Sequence, residues 1–334
     1  MQLRTIGGHS VPAIGLGCMN LSHAYGIPPA RAQAERVLQC AIDVGITHFD
    51  SAALYGASRN EALVGPFLKS VRDQVFLVSK GVLFIRDGKR TLDGHPDQIR
   101  RSCEESLTRM QTDSIDLYYL HRLDPQVPIE ESVGAVADLI SEGKVNALGL
   151  SEMSADTIRR AHAEYTVSAV QSEYSLWSRN VEIAVLDVCA EIGAAFVAFS
   201  PLARGFLADM KIDPEKFVEK DIRLAMPRFQ EPHFGLNRER LLGKYQEIAI
   251  QNNCTPAQLA IAWLLQRSKN IHVIPGTTSI EHVRENWGAG QLHLSDDTIG
   301  DLDRLINQNT VSGPRYSPTV QAQVGTEEFP NSAN

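Results

Sequence analysis

The feature of this sequence that most constrains its fold is a repeated alternation of short β-forming runs and longer helical segments. Residues 75–79 and 194–199 are short, almost continuous apolar runs of the kind found in strands buried on both faces. Residues 31–44 and 96–110 instead carry apolar side chains at helical spacing, and Pro96 opens the second segment, as is typical of a first helical turn. This alternation predicts an α/β fold with a parallel sheet and crossover helices.

The number of β-forming runs favours a closed barrel. Eight strands are predicted, which favours a (β/α)8 TIM barrel over an open Rossmann-type sheet, the alternative that alternation alone leaves open. Residues 2–13 contain a Gly-Gly turn and predict an N-terminal β-hairpin that closes the barrel floor. The length of 334 residues suits one barrel, so residues 1–334 are interpreted as a single domain. The eight strands are centred near residues 14–17, 48–51, 75–80, 115–121, 145–151, 169–173, 196–200 and 273–277.

Two segments fall outside this repeat. Residues 201–237 are rich in proline, glycine and aromatic residues and lack periodicity, and a loop of this length is often functional. Beyond the eighth strand the sequence predicts extra C-terminal helices and loops. After about residue 310 the chain is polar, with proline and glycine, which predicts a loosely ordered tail over residues 310–334.

Charge and cysteine content exclude several classes of protein. The formal net charge is −8 without a dense Lys/Arg run, so no nucleic-acid partner is expected, because phosphate contacts need clustered cations. The five cysteines are far apart and form no C-x-x-C pair, which argues against disulfides and structural zinc and favours the reducing cytoplasm. Neither a secretory h-region nor a run of about 18 apolar residues occurs, so no membrane association is expected.

Four chemically active side chains follow three successive predicted strands. Asp50 and Tyr55 belong to the segment HFDSAALYG, Lys80 ends the segment VSK, and His121 ends the segment YYLH. In a parallel barrel the carboxyl ends of the strands meet at the catalytic mouth. Each residue alone has an ordinary structural interpretation, such as a turn aspartate or a buried core histidine. Together, at consecutive strand ends, they predict a proton-transfer site.

These residue types suit carbonyl reduction. A phenol has a pKa of about 10 and is a poor acid at neutral pH, so a nearby Lys80 ammonium is expected to lower the pKa of Tyr55. Asp50 is expected to hold Lys80 in place and keep it charged, and His121 to hydrogen-bond the substrate carbonyl oxygen. Tyr55 then donates a proton to that oxygen as hydride reaches the carbon, and it acts as the base in the reverse reaction.

The segments FDSAALYG, VSK and YYLHR resemble the catalytic set of the aldo-keto reductase superfamily, in its bacterial-type, channel-β-subunit-like branch. The resemblance continues along nearly the whole chain, with GLGCMN after the first predicted strand, GLSE after the fifth, QSEYSLWSR after the sixth, FSPLARGFL after the seventh and IPGTTSIEHVREN after the eighth. It implies an extended NADP(H) bound across the barrel mouth without a Rossmann domain. The Gly-Leu-Gly at residues 15–17 lacks the G-x-G-x-x-G spacing of a dinucleotide fingerprint.

The resemblance also implies which residues bind the cofactor. Residues after strands five and six are expected at the nicotinamide carboxamide, and Phe199 is expected to stack on the ring. The loop after strand seven is expected along the pyrophosphate, and the loop after strand eight around the ribose phosphate and the adenine. In that order, the predicted residues are Ser151, Glu152 and Gln171; Phe199; Ser200, Leu202 and Arg204; Gly276, Thr277, Thr278, Ser279 and His282; and Glu285 and Asn286, with Gly17 and Met19 after strand one and no metal ligand.

Two positions depart from the family pattern. Many relatives have Asn where this chain has Glu152, and a carboxylate beside the carboxamide needs a partner of its own, or its pKa rises. Relatives that strongly prefer NADP carry Lys or Arg around the 2′-phosphate, whereas only Arg284 is cationic near this strand-eight loop. Hydroxyl groups and a helix N-terminus could still hold the phosphate. NADP(H) is therefore expected with weak discrimination, and NAD(H) is the alternative.

The expected substrate is a small aldehyde, ketone or secondary alcohol. A cofactor-binding sensor or subunit with little turnover is an alternative, because ion-channel β subunits resemble this family. A lyase that uses Lys80 as a Schiff-base nucleophile is another alternative, although Asp50 would keep that lysine charged. No H-E-x-x-H motif supports a metal-dependent hydrolase, and no segment indicates an oligomeric interface. Candidates for an apolar wall at the mouth are Met19, Tyr25, Phe84, Trp177, Phe229 and Phe234.

Overall fold

The computed structural model describes residues 2–86, 88–208 and 211–330. The strands in these ranges are β1 (Leu3–Ile6), β2 (His9–Pro12), β3 (Leu16–Gly17), β4 (His48–Asp50), β5 (Phe76–Gly81), β6 (Leu83–Arg86), β7 (Lys89–Leu92), β8 (Leu117–Leu120), β9 (Leu148–Ser151), β10 (Val167–Glu173), β11 (Ala195–Phe199) and β12 (Ile271–Val273). The α-helices are α1 (Arg31–Val44), α2 (Arg59–Leu68), α3 (Pro96–Met110), α4 (Ile129–Ser141), α5 (Ala155–Glu164), α6 (Val185–Ile192), α7 (His233–Asn237), α8 (Gly243–Gln251), α9 (Pro256–Arg267), α10 (Ile280–Gly288), α11 (Asp296–Leu305) and α12 (Pro318–Gln321).

Eight parallel strands of the described chain form one sheet in the order β3, β4, β5, β8, β9, β10, β11, β12. The sheet closes on itself, because Ile14 forms a parallel bridge with Val273 of β12 and the Gly15 amide donates to Val273 O at 2.8 Å. The predicted (β/α)8 barrel is confirmed. The eighth strand ends at Val273 rather than near residue 277, because Pro275 has no amide hydrogen to donate to a neighbouring strand.

Both faces of the barrel strands are buried, which accounts for their continuous apolar sequence. In β5, Val78 belongs to the cluster inside the barrel, whereas Leu77 packs in the larger cluster between strands and helices. In β8, Tyr119 faces the interior cluster and Tyr118 the outer one. This alternation follows the two-residue period of a strand, and it places the core in two concentric layers.

The N-terminal hairpin closes the floor of the barrel, as predicted. β1 and β2 pair antiparallel around Gly7 and Gly8. A Cβ atom on Gly7 would lie 2.9 Å from the Cβ of Ala147, so the turn lies against the segment that enters β9. Arg4 donates to the carbonyl oxygen of Ser268, just before β12, at 2.9 Å.

A second hairpin, which the sequence analysis did not predict, stands at the opposite end of the barrel. β6 and β7 pair antiparallel directly after β5. The turn contains Gly88 at a positive φ of 74°, and an Asp-Gly dipeptide is a common hairpin signal. This hairpin brings Arg90 to the barrel mouth.

The loop over residues 201–237 consists largely of short 3-10 turns followed by α7, with residues 209–210 outside the described chain. An aromatic cluster holds it in place. Trp177 stacks on Phe206 with ring centroids 4.2 Å apart and meets Phe229 edge to face. Phe234 also packs against Phe206. These rings serve to pack the loop.

The tail differs from its prediction. Residues 311–330 pack across the mouth, where Arg315 and Tyr316 are buried and the Gly325 amide donates to Glu152 O at 2.8 Å. The expected loose order is therefore corrected for these residues, because their polar groups are paired with buried partners far away in sequence. Residues 331–334 lie outside the described residues.

The helices begin and end at recognisable signals. Thr255 and Gln258 form a reciprocal capping box at the start of α9, which satisfies two backbone donors. Gly45 ends α1 in the left-handed region at φ 100°, a conformation that favours glycine. Within the described chain, no helix combines the length and apolar character needed to cross a membrane.

Candidate active site

A cavity of about 850 Å³ opens at the carboxyl ends of the barrel strands. Asp50 ends β4, His121 follows β8, and Phe199 ends β11, and all three line this cavity. Residues of the long loop and of the tail, including Met226 and Tyr316, complete its wall. The mouth therefore combines polar strand ends with a partly apolar cover.

Asp50, Lys80 and Tyr55 form a continuous hydrogen-bonded array. Lys80 is fully buried behind the cavity wall. Its ammonium donates to Asp50 Oδ1, to Ser51 O at 2.8 Å, and to the Tyr55 hydroxyl at 3.4 Å. The second oxygen of Asp50 accepts a hydrogen bond of 2.8 Å from Gln171 Nε2. The array orients the Tyr55 hydroxyl group at the cavity.

Burial lowers the pKa of Lys80, but Asp50 and Tyr55 outweigh burial and hold that pKa above its usual value. Lys80 therefore stays an ammonium. Burial raises the pKa of the Tyr55 phenol, and the lowering effect of Lys80 does not overcome it. The predicted lowered pKa of Tyr55 is thus wrong in its net direction, because desolvation and the Asp50 carboxylate together disfavour the phenolate.

His121 lies against Tyr55, with their rings perpendicular and 5.9 Å apart between centroids. Burial, followed by the charges of Arg122, Lys80 and Arg90, holds the pKa of His121 well below its usual range. The imidazole is therefore neutral at neutral pH and can offer one N–H donor to a carbonyl oxygen. Its Nδ1 is buried without a hydrogen-bond partner.

Glu152 does not lie where the resemblance placed it. It is fully buried outside the cavity lining, where it accepts two hydrogen bonds from the Arg315 guanidinium and one from the Glu173 amide at 2.7 Å. Its backbone is left-handed at φ 56°. The partner that a carboxylate at this position needs is therefore Arg315, from the tail.

Arg204 lines the cavity but is already neutralised by carboxylate contact. Its Nη2 donates to Glu173 Oε2 at 2.9 Å and to the Tyr316 hydroxyl at 2.7 Å. Arg315 lies 3.3 Å from the same Glu173 carboxylate. The two arginines lower the pKa of Glu173 strongly, despite the opposing effect of burial. We call Glu152, Glu173, Arg204, Arg315 and Tyr316 the tail network.

Gly17 and Gly276 line the far end of the cavity, which we call the cradle, and neither has room for a side chain. A Cβ on Gly17 would lie 2.7 Å from Ile274 O, and a Cβ on Gly276 would lie 2.7 Å from Asn20 Oδ1. Asn286 Oδ1 is buried without a partner and its residue lines the cavity. Close backbone approach and an unpaired buried acceptor are features that fit an extended nucleotide.

The structure brings most of the predicted cofactor residues together. Two do not line the cavity: Glu152, described above, and Ser279, which caps α10 by accepting from the His282 amide. Arg284 is exposed and outside the lining. The predicted residues that do line it are Gly17, Met19, Ser151, Gln171, Phe199, Ser200, Leu202, Arg204, Gly276, Thr277, Thr278, His282, Glu285 and Asn286.

Of the proposed apolar wall, Met19 and Tyr25 line the cavity, whereas Phe84 and the aromatic residues of the loop cluster do not. Three cations that line the cavity were not among the predicted site residues: Arg90, Arg122 and Arg223. Arg122 directly follows His121 in the YYLHR segment, so its position carried a signal. Within the described chain, no group of three or more His, Cys, Asp or Glu side chains is arranged to hold a metal ion.

The model of the Aldo/keto reductase family matches residues 13–307. An aldo-keto reductase of Schizosaccharomyces pombe, whose name specifies NADP(+), is 40% identical over 328 residues, which cover 96% of both chains. A probable aldo-keto reductase of Glycine max is 39% identical over 311 residues, or 92% of this chain and 89% of its own.

Solved structures show the same architecture. An aldo/keto reductase from Klebsiella pneumoniae in complex with NADP and acetate has a TM-score of 0.73 and 29% identity, covering 91% of this chain and 95% of its own. A glycerol dehydrogenase from Gluconobacter oxydans, at 24% identity, shares the fold with a TM-score of 0.84 over 95% of this chain and 98% of its own. With the family model and two relatives of about 40% identity spanning nearly its whole length, the chain belongs to the aldo/keto reductase family.

Proposed function

We propose that this protein is an NADP(H)-dependent oxidoreductase that reduces aldehydes or ketones to alcohols, or catalyses the reverse reaction, with Tyr55 as general acid and base. The observation that carries this proposal is the Asp50–Lys80–Tyr55 array opening, beside His121, on the cavity. The name of the Schizosaccharomyces pombe relative and the NADP in the Klebsiella pneumoniae structure support the cofactor.

The proposed reaction begins with the substrate carbonyl oxygen between Tyr55 and His121. Neutral His121 donates a hydrogen bond to this oxygen and orients it. When bound, NADPH supplies the hydride. Tyr55 donates its proton to the developing alkoxide, and Lys80 stabilises the resulting phenolate through its ammonium group. Because burial raises the pKa of Tyr55, the phenol stays protonated and ready to donate at neutral pH.

The residues present fit the cofactor. Ser151 and Gln171 lie close to the reacting groups, where they would hold the carboxamide, and Phe199 would pack on the ring. The cradle at Gly17 and Gly276 would receive the phosphate-bearing part, and the free Asn286 Oδ1 would accept from the adenine amine.

We also propose that residues 1–334 act as one domain in the cytoplasm. The barrel, the long loop and the tail share the lining of a single cavity, and all five cysteines are free thiols.

Discrimination between the two cofactors is expected to be weak. Near the cradle, Thr277 and His282 approach each other at 3.4 Å, and the described lining has no Lys or Arg at that end. Without a permanent cation for the 2′-phosphate, we expect the kcat/KM for NADPH to exceed that for NADH by less than about 1000-fold, or roughly 4 kcal/mol. Steady-state kinetics with both cofactors measures this ratio, and a larger preference contradicts the expectation.

The two alternatives have distinct consequences. A Schiff-base lyase needs a neutral lysine, which the raised pKa of Lys80 disfavours. A sensor or subunit would bind the cofactor without turning over any carbonyl compound.

The proposal is tested by comparing the wild-type protein with Tyr55→Phe. Both are titrated with NADPH by fluorescence, and oxidation of NADPH is then followed by absorbance with a panel of aldehydes and ketones. We expect Tyr55→Phe to bind NADPH with unchanged affinity and to lose at least about 100-fold in kcat, because the proton donor is removed. Tight NADPH binding without turnover in either protein favours the sensor alternative, and absence of NADPH binding overturns the proposal.

A further inference from the structure

Four arginines line the cavity, and they differ in how their charges are met. Arg204 is paired with Glu173, and Arg223 is paired with Asp221. Arg90 and Arg122 form no ion pair within the described chain. The pocket next to the reacting groups therefore contains two arginines that have no carboxylate partner of their own within the described residues.

Arg122 is the more constrained of the two. It is 8% exposed, directly follows His121, and donates from Nη1 to His121 O at 2.6 Å and to Ser151 Oγ at 3.2 Å. These two hydrogen bonds fix the guanidinium plane, yet Nε is buried without any acceptor. A buried cation without a carboxylate partner is costly, and an anionic ligand in the cavity offsets its charge.

Arg90 reaches the same cavity from the hairpin formed by β6 and β7. Burial and then the charge of Arg122 lower the pKa of Arg90, so the two guanidinium groups are near enough to repel each other. Both also contribute to the low pKa of His121. Two like charges facing one cavity are stabilised when a negative group lies between them.

We propose that Arg90 and Arg122 bind a carboxylate on the substrate, so that the substrates of this enzyme are aldehydes or ketones that carry an acid group. This inference rests on the proposed function, because the carbonyl end of the same molecule lies at Tyr55 and His121. A guanidinium presents paired N–H donors that match a carboxylate. The remaining wall includes Leu54, Ile222 and Met226, which suits the carbon chain between the two ends.

The test compares 4-oxobutanoate with its methyl ester, two aldehydes that differ in the negative charge. With NADPH saturating, we expect the wild-type kcat/KM to be roughly 10-fold or more higher for the acid, chiefly through KM, as charged hydrogen bonds are strong. Arg90→Gln and Arg122→Gln should each lower this acid-to-ester ratio by about 10-fold. Arg59→Gln is the matched control, because Arg59 is an exposed arginine outside the cavity lining, and it should leave the ratio unchanged.

A second measurement separates this inference from the proposed function. In the Tyr55→Phe background, calorimetry measures 4-oxobutanoate binding without turnover, and adding Arg90→Gln or Arg122→Gln should weaken that binding about 10-fold. The inference is overturned if the arginine variants lose kcat/KM equally for the acid and the ester. It is also overturned if they bind NADPH more weakly while the acid-to-ester ratio of kcat/KM stays unchanged. If the wild-type protein turns over no compound of the carbonyl panel but the binding measurement gives the expected loss, the proposed function fails and the carboxylate site stands.

Discussion

Tyr55 and Lys80 show how a shared environment assigns opposite roles to two titratable groups. Burial raises the pKa of the phenol and opposes the charged lysine, while Asp50 restores the charge of Lys80. The outcome is a neutral acid held 3.4 Å from a permanent cation. Such a pair can release a proton during the reaction without releasing it beforehand.

Replacing Lys80 with Met tests this division of roles. The substitution removes the charge that most lowers the pKa of Tyr55, so that pKa should rise further. Alcohol oxidation needs the phenolate as base, and its rate rises with pH as the phenol ionises. We therefore expect the increase in the rate of alcohol oxidation with pH to shift to higher pH. We also expect carbonyl reduction to be at least about 10-fold slower.

The measurement is kcat for alcohol oxidation from about pH 7 to 11. Because Lys80→Met leaves Asp50 buried without its cation, a double variant with Asp50→Asn serves as the control. The double variant removes both charges, so its rate of alcohol oxidation should rise at a lower pH than that of Lys80→Met. If the rate of alcohol oxidation rises at the same pH in both variants as in the wild-type protein, Lys80 does not act on Tyr55.

Among the elements, the tail depends most on long-range pairing. The tail network joins Arg315 to Glu152 at the end of β9 and to Glu173 at the end of β10. Its charges are nearly inaccessible to water. A buried ion pair adds little net stability over an apolar pair, but breaking it leaves an uncompensated charge.

Arg315→Met should therefore lower the free energy of unfolding by about 3–5 kcal/mol. Urea denaturation measures this change. The matched control is Arg159→Met, which removes the exposed pair with Glu191 and should leave the free energy of unfolding nearly unchanged. Equal effects of the two substitutions would mean that the tail network does not hold the tail.

The same elements show what a sequence can and cannot predict. The eight barrel strands were predictable because apolar runs on both faces are a strong local signal. The four residues that we propose to be catalytic could be named because they lie at or just after the ends of those strands. The tail was not predictable, because a polar residue such as Arg315 predicts a solvated segment. Its burial is explained only by its ion pair with Glu152, which is distant in sequence. Arg90 was missed along with its hairpin, although Asp-Gly preceded it. Glu152 was wrongly expected beside the nicotinamide carboxamide, because the resemblance placed it by analogy with relatives that have an asparagine at this position.

At the scale of the whole molecule, two buried histidines link stability to pH. His48 and His272 have ring centroids 6.4 Å apart. Burial lowers the pKa of His48 to about 3, with Lys80 adding to the effect, and burial and His48 lower the pKa of His272 to about 3. The unfolded chain protonates both near the ordinary value of 6.5. Between these values the unfolded state binds more protons, so stability falls as pH falls.

Each histidine should contribute a slope of about 1.4 kcal/mol per pH unit within that window. His48→Leu should reduce the slope of the unfolding free energy against pH by roughly that amount. Urea denaturation between about pH 4 and 7 measures the slope. An unaltered slope in His48→Leu would contradict the assignment.

The closure of the barrel between Ile14 and Val273 also bears on how the protein folds. The two bridging residues are about 260 positions apart in sequence, so their meeting carries a large loop-closure entropy and belongs to the slow, non-local part of folding. Gly17 and Gly276 flank this seam and shape the cofactor cradle. We therefore expect nucleotide binding to require that the first and last strands of the barrel have joined, so that NADPH fluorescence during refolding would report barrel closure.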